Sequence, residues 1–416
     1  METLSQPRSE NRSIQTKAEP QSGGLEVLDA IRGGAALYVV CHHARILLMM
    51  SNQDAHSAAV SKLQRLLVES SAVFSFGHQA VLLFFVLSGF CIHLRQAERL
   101  SQNPKAAFDV RQYAGRRFKR IAPPYYWAIL FTFLIDVLAT HVNPHFVRYG
   151  GSNPYVNYMV FQYRDAKTLF GNLIFLQSIA FPPYGNNTPL WSLSYEFYFY
   201  VLYPAYLALR TRLGITKSVF AAGLLSLAAA LGQNHTALLS HFWFLSIISA
   251  WFWWILGALA AELYVRRDGL TATGPTLYKL RNPMAVAAAG IGVVWLATVR
   301  ILPALVSDTI GSLVCTLVLL FLVTGRTGSG TQDRFKAYRH TLAKVGLFSY
   351  SLYLTHVPWL ALVCVTWMRF HKSLPSLPAL FVFGIASSIF VGWLNFMLVE
   401  RHFIKTAKSP KKAQAA

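Results

Sequence analysis

The chain has 416 residues, 54% hydrophobic and only 13% charged, and its 38 Lys and Arg against 17 Asp and Glu give a formal net charge of +21. Soluble domains average about 25% charged residues, so this balance excludes an ordinary soluble enzyme and points to lipid as the solvent. The cations are spread through short segments between apolar runs and not gathered on one face, which excludes nucleic acid as the expected partner.

Residues 1–24 are polar and of mixed charge and read as a flexible cytoplasmic tail. They are not a signal peptide, because the apolar run that follows carries Asp29 and Arg32 and no small-residue cleavage site. Runs long enough to cross about 30 Å of hydrocarbon lie near 25–49, 79–97, 122–140, 189–209, 216–232, 241–264, 284–302, 304–325, 344–366 and 377–400. The expected fold is an all-α polytopic membrane domain of about ten transmembrane helices over 25–403, with a basic cytoplasmic tail at 404–416. Cys41, Cys91, Cys315 and Cys364 all fall inside apolar runs, giving neither a disulfide framework nor a metal site.

Lys and Arg accumulate in short cytoplasmic loops. Eight basic residues lie between Arg95 and Arg120, whereas the 48 residues from 141 to 188 hold only Arg148, Arg164 and Lys167. Both termini are therefore expected in the cytoplasm of a multi-pass plasma (inner) membrane protein, and the 141–188 loop outside, as a binding loop or a connector.

Several runs carry groups that lipid disfavours. The first helix holds Asp29, Arg32, His42, His43 and Arg45. Arg32 and His43 are eleven residues apart, which on an α-helix is about 16 Å of rise and about 20° of rotation, so they share a face with Asp29 one turn below Arg32. A neutral imidazole takes a proton from an attacking hydroxyl, which makes His43 the candidate general base; an interhelical hydrogen bond is the structural alternative. The run Phe84 to Phe90, FFVLSGF, contains Ser88, but no nucleophile elbow surrounds it, and small residues there favour helix packing.

Arg116, Arg117, Lys119 and Arg120 precede Pro123 and Tyr125 where the third helix enters the membrane. They read as a topological anchor or as a phosphate-binding cluster for a cofactor such as coenzyme A. In the fourth run, Ser192, Glu196 and Tyr200 recur every four residues and share a face. Its carboxylate can orient the base, bind a sugar hydroxyl or satisfy another helix. His356 closes SYSLYLTH in the ninth run, and Glu400 with Arg401 reads as an interfacial ion pair.

Taken in order from Leu28 to Phe403, these segments resemble the acyltransferase-3 family: Arg32 followed by ten residues and His43, FFVLSGF, the Arg-Arg-x-x-Arg-Ile run ending at Ile121 with Pro123 and Tyr125, WSLSYEFYFY, SYSLYLTH and Glu400-Arg401. The resemblance implies an acyl-CoA donor substrate, by default acetyl-CoA, entering from the cytoplasm, no metal, and a carbohydrate or glycolipid acceptor. It implies His43 as the catalytic position, Arg32 as its motif partner, Arg116, Arg117, Arg120 and Tyr125 as donor-binding positions, and less directly Glu196, Tyr200 and His356. Leu82 replaces an Asp and His402 a Pro that many relatives carry. The expected activity is O-acylation of a cell-surface or lipid-linked carbohydrate. The alternative is a transporter or flippase of a glycolipid or acyl group, although no pair of Gly- or Pro-broken helices marks two related halves. Lipid is the expected surrounding partner, and the oligomeric state has no signature in the sequence.

Overall fold

The computed structural model describes residues 22–49, 61–144, 164–235, 242, 244–266, 279–325, 336–371 and 378–404. Most of the two expected tails and the middle of the 141–188 loop lie outside these residues.

The described chain is helical throughout, apart from short turns and one isolated bridge between Gln177 and Phe181. In chain order the helices are α1 Ser22–Leu48, α2 Lys62–Ser70, α3 Gly77–Gln102, α4 Val110–Val142, α5 Ala166–Leu173, α6 Trp191–His235, α7 Phe244–Val265, α8 Arg281–Thr298, α9 Ala304–Val323, α10 Lys336–Leu347, α11 Ser349–His371 and α12 Pro378–Leu398. Single 3-10 turns at Ser71–Phe74, Thr188–Leu190 and Glu400–His402 join or end them.

Seven helical stretches among the described residues are long and apolar enough to cross a membrane. The expectation of about ten exceeds that by three. The first run, α1, falls short because it carries Asp29, Arg32, His42, His43 and Arg45, and α8 is only 18 residues long and opens on Arg281. The runs at 189–209 and 216–232 lie in one helical stretch, α6, interrupted by Gly214 at φ 77°. That left-handed backbone is open to Gly at little cost. Lipid-facing apolar side chains are plentiful, among them Phe133 and Val137 on α4, Phe220 on α6, Val293 on α8 and Phe390 on α12.

Close backbone approach sets the packing around α1 and α3. A Cβ at Gly89 would overlap the Trp254 carbonyl oxygen and one at Gly257 that of Val86, so α3 and α7 touch through paired glycines. Gly33 of α1 and Gly346 of α10 do the same against Leu342 and Asp29. The chain breaks at Phe348 between α10 and α11, where one run was expected from 344. On the other side of α3 its aromatic core, with Phe85, Phe199, Tyr203 and Trp254 fully buried, ties α3, α6 and α7 together.

Candidate active site

The third predicted helix begins earlier than its apolar run. Asp109 caps α4 by accepting a hydrogen bond from the Gln112 amide at 2.8 Å, and the helix continues through Pro123 and Pro124. The basic cluster is therefore helical, and Arg117 and Arg120, three residues apart, fall on one face. Both line a cavity of about 150 Å³ between α1, α3, α4, α6 and α11. A cavity of about this volume admits a group the size of a benzene ring.

Arg32 reaches the same cavity, with Nη1 at 3.2 Å from Asp29 Oδ1 and Nη2 at 3.3 Å from Cys91 Sγ. Arg120 is fixed from behind. Its Nη1 lies 3.1 Å from Glu400 Oε1, while Glu400 Oε2 accepts hydrogen bonds from the Ser351 amide at 3.0 Å and its hydroxyl at 2.7 Å. Glu400 is fully buried, and Arg401 is exposed beside Met397, so the expected Glu400–Arg401 pair is replaced by Glu400–Arg120. Arg117 sits over the rings of Tyr113 at 5.7 Å and Tyr200 at 6.0 Å, and its buried Nε has no hydrogen-bond partner among the described residues. Three guanidinium groups thus line one cavity, the chemistry that grips phosphate oxygens.

The cavity wall is a carboxylate hub. Glu196 Oε1 accepts from Ser88 Oγ at 2.9 Å and from the Tyr200 hydroxyl in a short bond, and the Trp254 indole donates to Ser88 at 3.2 Å. Ser88 is thereby committed to Glu196 as a donor, the arrangement of a hydrogen-bonded wall and not of a nucleophile paired to a base. The shared face of Ser192, Glu196 and Tyr200 is borne out, since all three line the cavity.

His43 is brought to His356, not to Glu196. His356 is fully buried, and its Nδ1 lies 2.8 Å from the Tyr353 carbonyl oxygen and 3.1 Å from that of Leu352. Carbonyl oxygens only accept, so Nδ1 carries the proton and Nε2 of neutral His356 holds a lone pair. That lone pair faces His43 Nδ1 at 3.0 Å, which therefore donates, leaving the His43 lone pair on Nε2. Tyr353 joins this pair to the cavity. It lines the cavity, its ring is 5.8 Å from those of His356 and Phe84, and its hydroxyl is held by Ser192 Oγ at 2.8 Å and the Pro189 carbonyl at 3.1 Å.

Two expected donor-binding residues lie elsewhere. Arg116 is exposed on another side of α4. Tyr125 is fully buried, stacked 4.3 Å from Phe175 and donating to the Asn172 carbonyl at 2.8 Å.

The profile of the acyltransferase-3 family, described as an acyltransferase domain, matches residues 25–397. The chain belongs to the acyltransferase-3 family. No curated protein and no solved structure matches it. As an acyltransferase-3 protein it is a membrane acyltransferase, and the matched span contains Arg32, His43, Ser88, Arg117, Arg120, Glu196, Tyr200, Tyr353 and His356.

Sequence reasoning missed one buried charge network of this acyltransferase. Glu262 receives Arg210 Nε at 2.6 Å and Nη2 at 3.0 Å and lies 2.9 Å from His93 Nε2. The three residues come from α6, α7 and α3 and share no local pattern; only the presence of ionisable groups in apolar runs marked them.

Proposed function

We propose that this acyltransferase moves an acyl group, by default acetyl, from acyl-CoA to a hydroxyl of a carbohydrate or glycolipid acceptor. The phosphates of the donor bind Arg117 and Arg120, with Arg32 deeper in the cavity, and the thioester extends toward Tyr353. The unpartnered Nε of Arg117 and the fixing of Arg120 by Glu400 support an anion as ligand. The concentration of cations at this end supports cytoplasmic donor access and cytoplasmic termini.

His43 Nε2 takes the proton of the acceptor hydroxyl as its oxygen attacks the thioester carbonyl. The tetrahedral intermediate then expels the coenzyme A sulfur, and that proton passes from His43 to the thiolate. The bonded pair of His43 and His356 carries this reading, because it leaves a lone pair on the one His43 nitrogen that has no partner among the described residues. His356 is the positioning residue. Movement of a glycolipid without chemistry has no observation in its favour.

The test is thiol release and acyl transfer by detergent-purified protein given acetyl-CoA and glycan extract from producing cells. Wild type is expected to do both and His43→Ala neither, with membrane insertion of both confirmed. Equal transfer by the two proteins returns His43 to a structural role.

A further inference from the structure

On α4, Asp136 lies sixteen residues beyond Arg120, about 24 Å along the helix axis. It is therefore far from the guanidinium cluster. Asp136 is 2% exposed, with Arg164 Nε 3.2 Å from Oδ2 and the Asn186 backbone amide beside the carboxylate. Above it the chain turns at Gly185, at φ 60°, where a Cβ would press on Asp136 Oδ2 and Thr132.

The next two residues add more of the same chemistry. The Asn187 side-chain amide donates to Thr132 Oγ1 at 3.0 Å and to the Leu354 carbonyl at 2.8 Å, which fixes the nitrogen end and leaves Oδ1 without a donor among the described residues. Asn186, 1% exposed, also has an Oδ1 with no donor among the described residues. Asn186 and Asn187 thus present amide oxygens that meet no donor among the described residues, each costing about 1–3 kcal/mol when left so in an apolar interior, beside a carboxylate held on one side by Arg164. Such a set calls for a ligand rich in donors.

Charge decides which donor. The Asp136 carboxylate is already offset by Arg164, so a cation would bring a charge with no counterpart. Among the described residues no three His, Cys, Asp or Glu side chains gather as metal ligands. Neutral hydroxyls supply donors without adding charge. Asn187 also ties this cluster to α11 at Leu354, two residues before His356, the partner of His43.

We propose that Asp136, Asn186 and Asn187 form the acceptor subsite, binding hydroxyls of a neutral sugar on the side of His43 away from the arginines. This rests on the reading of the chain as a carbohydrate O-acyltransferase. Donor and acceptor then reach the reacting centre from opposite ends.

The experiment is ligand-observed saturation-transfer NMR of the full chain in detergent with a panel of methyl hexosides, alongside acetyl transfer. Wild type and His43→Ala are both expected to bind the same glycosides, so a failure of the base assignment leaves this signal intact. Asp136→Asn and Asn186→Ala are expected to lose the signal and to raise the acceptor KM about tenfold or more, with the acetyl-CoA KM unchanged, since about 1.4 kcal/mol corresponds to tenfold. Asn186→Ala deletes an oxygen that no donor meets, so its folding should match wild type. Unaltered glycoside binding by both variants overturns the proposal, as does a wild type that binds no glycoside or that binds calcium through Asp136.

Discussion

The Nε2 of His356 and the Nδ1 of His43 face each other at 3.0 Å across α1 and α11, and the carbonyls behind His356 decide which of them carries the proton. The chain thereby orients one imidazole with another, and among the described residues no carboxylate bonds to either ring.

Replacing His356 should therefore lower kcat more than it alters donor binding. His356→Gln keeps an acceptor oxygen for the His43 N–H and is expected to retain more activity than His356→Ala. The Ala variant should fall by about 10- to 100-fold in kcat, as loss of an orienting partner does, with an unchanged acetyl-CoA KM and a displaced pH–rate profile. Equal losses in the two variants with an unmoved profile would make His356 a packing residue.

Arg117→Ala and Arg120→Ala should each raise the acyl-CoA KM by about 10- to 100-fold, because a hydrogen bond to a charged group is worth about 1.5–3 kcal/mol. Arg116→Ala should leave it unchanged, since Arg116 points away from the cavity. Glu400→Gln keeps an acceptor for Ser351 but releases Arg120, so its KM effect should be smaller and in the same direction. Steady-state kinetics with acetyl-CoA as the varied substrate separate these cases.

Much of this arrangement was legible in the chain. The apolar runs located the helices, because lipid requires long uninterrupted segments. The four-residue spacing of Ser192, Glu196 and Tyr200 gave their common wall. As a loop the basic cluster gives no way to tell Arg116 from Arg117 and Arg120; a helix starting at Val110 separates them. Glu400 was read with its sequence neighbour Arg401, whereas its ion-pair partner is 280 positions earlier. The role of Asn187 was equally hidden, as both acceptors of its amide lie on other helices.

Adjacent glycines in α1 should behave oppositely. A Cβ at Gly33 would meet the Leu342 carbonyl oxygen and the Gly346 amide, whereas one at Gly34 meets nothing within 4 Å. Gly33→Ala is expected to destabilise by about 1–3 kcal/mol through overpacking, and Gly34→Ala to be neutral or stabilising by up to about 1 kcal/mol. Thermal unfolding of both in the same detergent checks this, and equal melting temperatures would contradict the close contact of α1 with α10.

Glu262→Ala should be among the most damaging changes outside the cavity. It leaves Arg210, with its side chain only 10% exposed, facing no counter-charge. Breaking one side of a buried pair costs about 3–5 kcal/mol, while replacing both partners with apolar groups is often tolerated. The double variant Glu262→Leu with Arg210→Leu should therefore melt higher than Glu262→Ala.

That same network has a temporal aspect. His93 and Arg210 are both made before Glu262 as the chain leaves the ribosome, and multi-helix chains assemble from the N-terminal end during synthesis. When α7 arrives, the imidazole and the guanidinium that hold its carboxylate already stand in the bilayer, and the same holds for Arg120 ahead of Glu400. For Glu262 and Glu400 the order of the polypeptide thus doubles as an order of insertion: each of these two carboxylates enters a membrane in which its arginine is waiting.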